Sequence, residues 1–253
     1  LWDLSELAMA QTHYERAQRA LHKIKPPQRY AKEAQYLLRM LERERVGPFA
    51  IKDHMPQKSY AGEAFWLTKR LQVHLRVMPM SAQNTVQKDI RTQEQLTGCF
   101  DVVNCRGFDQ GALCVASVLK GFPLPVFASK EKRLGPDNVL ALWLQGMRLL
   151  KQIQGLQESM QPFEPHQWYA DFNHHGGNLY LAFLETPQND AVPVQKVHQQ
   201  MNEYFVGVLQ SRFQESAVTN ACQLHALAGL SWKELHDLVH ENYVQALGLK
   251  RRR

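Results

Sequence analysis

The sequence predicts a mostly α-helical protein with a small β-sheet, an α+β fold in which amphipathic helices surround an apolar central segment. Most of the chain shows apolar residues at helical spacing, and only residues 71–77, 100–103 and 178–184 have the patterns of strands. Residues 100–127 form the most apolar stretch, with almost no charge between Asp109 and Lys120. Each such side chain gains about 1.5–3 kcal/mol on burial, so we expect this stretch at the centre of the core.

The front of the chain predicts a hairpin of two helices. The first helix is expected from Asp3 to about Lys25, where Pro26 and Pro27 end it, and the second from about Gln28 to Arg45. A short break between two helices favours an antiparallel pair. The apolar positions at helical spacing are Tyr14, Ala17, Leu21 and Ile24 on the first helix and Ala34, Leu37, Leu38 and Leu41 on the second.

The middle of the chain carries weaker signals. A short helix is expected over Ser59–Thr68, followed by a strand over 71–77 that alternates apolar and polar residues and is therefore half buried, with a solvated polar face. Residues 112–119 suit either a buried strand or a buried helix, and periodicity does not decide between them.

The C-terminal half predicts long helices. One is expected from about Asn138 to Met160 and another over 194–213. The last helix begins with Ser231 as N-cap and Glu234 three residues later, which is the pattern of a capping box. The predicted organisation is a basic helical hairpin, a central core region and a C-terminal α+β region, at residues 1–52, 53–162 and 163–253, which can form one continuous domain.

Positive charge is concentrated at the two ends of the sequence. The formal net charge is +6, to which residues 1–52 contribute +4 (ten Lys and Arg against six Asp and Glu) and residues 250–253 another +4, so residues 53–249 carry −2. Basic ends attract polyanions, whereas a net-acidic middle argues against a broad nucleic-acid channel.

We therefore expect a non-enzymatic, nucleic-acid-associated protein that contacts phosphates through the hairpin and the basic tail. An aromatic residue among the cations can stack on a base. The candidate nucleic-acid-binding residues are Arg16, Arg19, Lys23, Lys32, Tyr36, Arg39, Arg43, Lys250, Arg251, Arg252 and Arg253.

Two other functions stay open. A structural or adaptor subunit, docking a protein partner or a second copy through its helices, fits the number of helices and the lack of a catalytic motif. A metal-dependent hydrolase would use Asp171, His174 and His175, with Glu185 after the next strand. Adjacent histidines point to opposite sides of an extended chain, so a polar turn is the favoured interpretation, and no metal or other cofactor is expected.

The cysteines indicate the compartment in which the protein works, and the hydropathy indicates whether the chain can span a membrane. Cys99, Cys105, Cys114 and Cys222 include no CxxC pair, and three of them lie in or beside the apolar stretch. Thiols in a core are typical of a reducing compartment, so we expect a cytoplasmic protein. No window reaches the roughly 18 consecutive apolar residues of a membrane span.

Overall fold

The structure is a computed structural model, and it describes residues 2–10, 12–52, 60–108, 111–130, 134–173, 176–182, 191–213 and 230–251. The chain divides into two compact units. The first contains Leu1–Thr85 and Asp101–Leu119, and the second contains Val86–Phe100 and Lys120–Arg253.

A six-stranded sheet forms the centre of the first unit. All neighbouring strands are antiparallel, and the order across the sheet is β1-β2-β3-β4-β6-β5. The strands are β1 (Arg45–Val46), β2 (Phe49–Ile51), β3 (Tyr60–Trp66), β4 (Leu71–Pro79), β5 (Val102–Phe108) and β6 (Ala112–Val118).

Three helices of the first unit precede the sheet: α1 (Trp2–Ala10), α2 (Tyr14–Leu21) and α3 (Ala31–Leu41). Their buried side chains share one apolar cluster with Ala50 of β2, Phe65 of β3 and Leu67, which follows β3. A second cluster contains Phe49, Ile51, Ala64 and other sheet residues. Because successive side chains of a strand point to opposite faces, the helices cover the face that carries Ala50 and Phe65.

The second unit is built around a long helix. Its helices are α5 (Leu124–Lys130), α6 (Pro136–Gln154), α7 (Val194–Arg212) and α8 (Trp232–Arg251), and the division between the units falls inside α4 (Gln83–Gln93). The strands are β7 (Phe122–Pro123), β8 (Ser159–Met160), β9 (Trp168–Asn173), β10 (Gly176–Leu181) and β11 (Val192–Pro193). They form a three-stranded sheet, β10-β9-β7, and a two-stranded one, β11-β8.

The apolar face of α6 organises the core of the second unit. Trp143 is fully buried, stacks on Phe205 of α7 and donates a hydrogen bond from its indole nitrogen to Asn202 Oδ1 at 2.8 Å. Gln145 bonds the backbone of β10 at Gly177 and Leu179, which joins helix and sheet.

The predicted fold class is wrong because it underestimates the amount of β-sheet. The described residues contain eleven strands rather than three, and the six-stranded sheet gives a mixed α+β fold instead of a mostly α fold with a small sheet. The main physical reason is that strand pairing is non-local. Tyr60–Trp66 was expected to be helical, but it pairs over its whole length with β4.

Several boundaries also differ from the predicted ones. The first predicted helix is interrupted after Ala10, and α2 begins at Tyr14. Thr12 between them has a φ of 61°, a left-handed conformation that is uncommon for a β-branched residue and that nothing in the local sequence signals. The long predicted helix from 138 ends six residues early, at Gln154.

The apolar stretch 100–127 does not form a single core. It contributes β5 and β6 to the first unit and β7 and α5 to the second. Val103, Val118 and Phe122 within it are exposed. The undecided segment 112–119 is a strand, β6, whose central residues are buried.

The capping box is confirmed. The backbone N–H of Ser231 donates to Glu234 Oε2 at 2.8 Å, and the backbone N–H of Glu234 donates to Ser231 Oγ at 3.3 Å. This reciprocal pair satisfies two N–H groups that a helix start leaves unbonded.

None of the helices in the described part of the chain combines the length and the apolar composition that a bilayer crossing needs.

Two polar residues of β4, His74 and Arg76, are buried, contrary to the solvated face expected from the alternation, while Gln72 on the same face is exposed. His74 and Arg76 are each only 3% exposed. Burial, with a smaller contribution from the neighbouring Arg76 guanidinium, lowers the pKa of His74 to about 3. His74 is therefore neutral in the folded protein near pH 7.

We predict that this histidine makes the free energy of unfolding depend on pH. Between about pH 6.5 and pH 3 the unfolded chain binds a proton at His74 and the folded chain does not, so stability falls as the pH is lowered. The slope is about 1.4 kcal/mol per pH unit. Urea unfolding of the parent protein and of a His74→Asn variant at pH 7, 6 and 5 would measure it. The stability difference between them should shrink at low pH, and a constant difference would contradict the assignment.

Candidate nucleic-acid interface

The structure places the predicted cations of the hairpin on its outer surface. Ala17 and Leu21 of α2 and Ala34, Leu37 and Leu41 of α3 are buried in the helical cluster, as the spacing predicted. The opposite faces carry the charges, and all six cations are exposed: Arg16, Arg19, Lys23, Lys32, Arg39 and Arg43.

On each helix the cations form one stripe. At about 100° per residue, Lys32, Tyr36 and Arg39 of α3 lie within about 60° of one another around the helix axis. Arg16 and Arg19 of α2 are separated by the same angle. Lys23 and Arg43 lie just beyond the helix ends, in turns where their N–H groups donate to Ala20 O and Met40 O at 3.3 Å. We call these residues the α2 stripe (Arg16, Arg19, Lys23) and the α3 stripe (Lys32, Tyr36, Arg39, Arg43).

No cation of either stripe has a carboxylate within 4.0 Å among the residues that the structure describes. Two of them make hydrogen bonds to backbone oxygens instead. Arg19 Nε donates to Glu15 O at 3.4 Å, and Arg43 Nη1 donates to Lys52 O at 3.2 Å. Neither bond neutralises the charge, so both stripes keep their positive charge at the surface.

Tyr36 stands beside an apolar cavity in the first unit. The cavity has a volume of about 410 Å³, and we call it the Trp2 cavity. Tyr36 is 41% exposed, and its ring makes an edge-to-face contact with buried Phe65 at a centroid distance of 5.5 Å. The residues that line the cavity are Trp2, Lys32, Glu33, Tyr36, Leu37, Phe65 and Arg70.

A smaller cavity, of about 210 Å³, is lined partly by the same two rings, Tyr36 and Phe65. We call it the Glu63 cavity. Its charged residues are Arg43, Lys52 and Glu63, and Lys52 Nζ forms an ion pair with Glu63 Oε2 at 2.5 Å.

Arg70 and Trp2 are functional candidates that the sequence analysis missed. Arg70 Nη1 forms an ion pair with Glu6 Oε1 at 2.7 Å, and the guanidinium lies 4.5 Å from the centre of the Trp2 ring. Trp2 also stacks on Tyr30, with centroids 4.6 Å apart and planes 15° apart. Trp2 and Arg70 are 68 positions apart in the sequence, so no local pattern could reveal their contact.

The other predicted site residues are described only in part or not at all. Helix α8 continues to Arg251, but the side chains of Lys250 and Arg251, and all of Arg252 and Arg253, lie outside the described residues. His174, His175 and Glu185 lie outside them as well. Asp171 accepts a hydrogen bond from Asn178 Nδ2 at 3.0 Å, and the described residues contain no group of three side chains arranged as metal ligands.

Comparison with known proteins gives no family assignment. The sequence matches no protein-family model and no curated protein. The candidate interface therefore stands on its own geometry: two exposed cationic stripes, an exposed tyrosine and an aromatic cavity.

The backbone of Arg70 yields a prediction about stability. Arg70 closes the turn between β3 and β4 with a φ of 56°, and its N–H donates to Trp66 O at 2.7 Å. Glycine adopts this conformation without strain, whereas a Cβ atom costs about 1 kcal/mol there. Arg70→Ala loses the ion pair and the ring contact and keeps the strain, so we expect a destabilisation of about 1–2 kcal/mol.

Arg70→Gly loses the same contacts but relieves the strain. We expect it to be more stable than Arg70→Ala by about 1 kcal/mol, as measured by chemical denaturation of both variants. An alanine variant as stable as the glycine variant would show that the turn is not strained.

Proposed function

We propose that this protein associates with nucleic acid without catalysing a reaction, by placing the α2 and α3 stripes of its hairpin on phosphate groups. The observation that carries the proposal is the set of six exposed cations with no carboxylate partner among the described residues. A cation already paired with an acid contributes little to phosphate binding, and none of these six is paired with an acid of the described residues. The basic tail at residues 250–253 adds four further charges to the same proposal.

The spacing of the cations supports contacts with successive phosphates. Lys32 and Arg39 are seven residues apart on one side of α3, which corresponds to about 10 Å along the axis. Tyr36 lies between them on the same side, so a base and its flanking phosphates can meet one stripe. Such contacts give affinity that depends on salt and does not by itself select a sequence.

We also propose that the protein works in a reducing compartment such as the cytoplasm. Cys105 and Cys114 on neighbouring strands are present as thiols. Burial raises the pKa of the Cys114 thiol to about 12, which keeps it protonated and unreactive.

The proposal predicts binding that weakens steeply with salt. Fluorescence anisotropy with labelled DNA and RNA at 50 and 200 mM salt would measure the affinity of the parent protein. Two variants remove one stripe each: Arg16→Gln/Arg19→Gln/Lys23→Gln, and Lys32→Gln/Arg39→Gln/Arg43→Gln. Each should flatten the slope of log K against log salt by about 2 to 3, as expected for three lost phosphate contacts.

A matched control variant distinguishes the effect of the stripes on affinity from the effect of a lower net charge. Arg148→Gln/Lys151→Gln/Lys196→Gln removes three exposed cations from the second unit. It should leave the affinity within about twofold of the parent value, because these residues lie outside the proposed interface. Equal losses in the control and in the stripe variants would overturn the assignment. Absence of binding at 50 mM salt would leave the adaptor hypothesis in its place.

A further inference from the structure

We propose that the Trp2 cavity receives an unstacked base, so that the protein binds single-stranded nucleic acid in preference to duplex. This inference rests on the proposed function, because the α3 stripe supplies the phosphate contacts that bring a strand to the cavity. It goes further in naming the form of the nucleic acid and the residues that select it.

The cavity has the size and composition of a site for a planar group. Its volume of about 410 Å³ lies within the range of small-molecule sites, which runs from about 300 to 1,000 Å³. Trp2, Tyr36, Leu37 and Phe65 provide aromatic and aliphatic walls. A base can stack on an aromatic wall of this kind, and base–aromatic stacking is tolerant of sequence.

The rings of the cavity are held in place by their neighbours. Trp2 is fixed between its stack on Tyr30 and the guanidinium of Arg70. Tyr36 is oriented by the edge-to-face contact with Phe65 and remains 41% exposed. Tyr36 is therefore the ring available for stacking, while Trp2 and Phe65 contribute fixed parts of the lining.

The charges around the cavity favour a base attached to phosphates over a cationic ligand. Aromatic cavities also bind quaternary ammonium groups, for which Glu33 would be a suitable neighbour. Lys32 lines the same cavity, however, has no carboxylate within 4.0 Å among the described residues, and would repel a cation. Lys32 begins the α3 stripe, so a phosphate bound there leads directly to the cavity. The Glu33 carboxylate can accept a hydrogen bond from an exocyclic amino group of a base.

Duplex nucleic acid cannot use this cavity without disruption. Its bases are paired and stacked, and extruding one costs a few kcal/mol. A single strand offers its bases without that cost. The two forms share phosphates and therefore share the contacts of the stripes, so the cavity is what distinguishes them.

The test uses three probes of equal length with the full chain: a labelled single strand, its duplex, and a strand of abasic sugar–phosphate units. The parent protein should bind the intact strand about tenfold or more tightly than either of the others at the same salt. Tyr36→Ala should lose about tenfold on the intact strand and nothing on the abasic strand. Tyr36→Phe keeps the ring and should retain the affinity of the parent protein.

A second measurement does not depend on the Tyr36 variants. Binding of the intact strand should quench tryptophan fluorescence, and a Trp2→Phe variant should lose that part of the quenching while it retains salt-dependent binding. Equal binding of intact and abasic strands, or an unchanged affinity in Tyr36→Ala, would overturn the base site and leave the phosphate contacts standing. Failure of all three probes to bind at low salt would overturn the proposed function, and the inference with it.

Discussion

The packing of Phe65 against the helical hairpin is the contact on which the candidate interface depends. Phe65 is the residue of β3 that enters the apolar cluster formed by α1, α2 and α3, which also contains Leu37, Met40 and Leu41. Burying an aromatic ring of this size contributes roughly 1.5–3 kcal/mol and fixes which sides of the helices face inward. The cationic stripes face outward because the apolar sides are committed to the sheet. The same ring orients Tyr36. The apolar cluster around Phe65 therefore determines both which cations are exposed and how Tyr36 is placed beside the cavity.

The sheet beneath the hairpin is constrained by the burial of a cation and a histidine on β4. His74 and Arg76 lie on the same side of the strand, about 7 Å apart at two residues' spacing. Burial lowers the pKa of His74, and the nearby positive charge of Arg76 lowers it further, so the imidazole stays neutral. Of the polar residues that alternate along β4, His74 and Arg76 are therefore buried, and only Gln72 is exposed.

Sequence reasoning was successful where the signal is local. The buried seams of α2 and α3, the exposed cations and the Ser231–Glu234 capping box all follow from spacing within a turn or two of helix. It failed for Tyr60–Trp66, whose alanines and glutamate suit a helix and whose strand conformation comes from pairing with β4. It missed the Trp2 cavity for the same reason. Residues 2, 36, 65 and 70 come together only after α1, α3 and the β3–β4 turn have packed.

The two cavities beside Tyr36 differ in their ion pairs, volume and aromatic lining, and these differences indicate which one is the better ligand site. In the Glu63 cavity the carboxylate of Glu63 already holds Lys52, and a phosphate would have to displace an ion pair and approach a negative charge. In the Trp2 cavity the ion pair of Arg70 is made with Glu6, which is not among the lining residues, and Lys32 has no carboxylate within 4.0 Å in the described chain. The larger cavity also has the greater share of aromatic wall, with Trp2 added to the two shared rings. Each cavity has one carboxylate in its lining, Glu33 or Glu63, and each has one cation of the α3 stripe, Lys32 or Arg43. The larger volume and the third aromatic ring therefore make the Trp2 cavity the better site for an aromatic group attached to an anion.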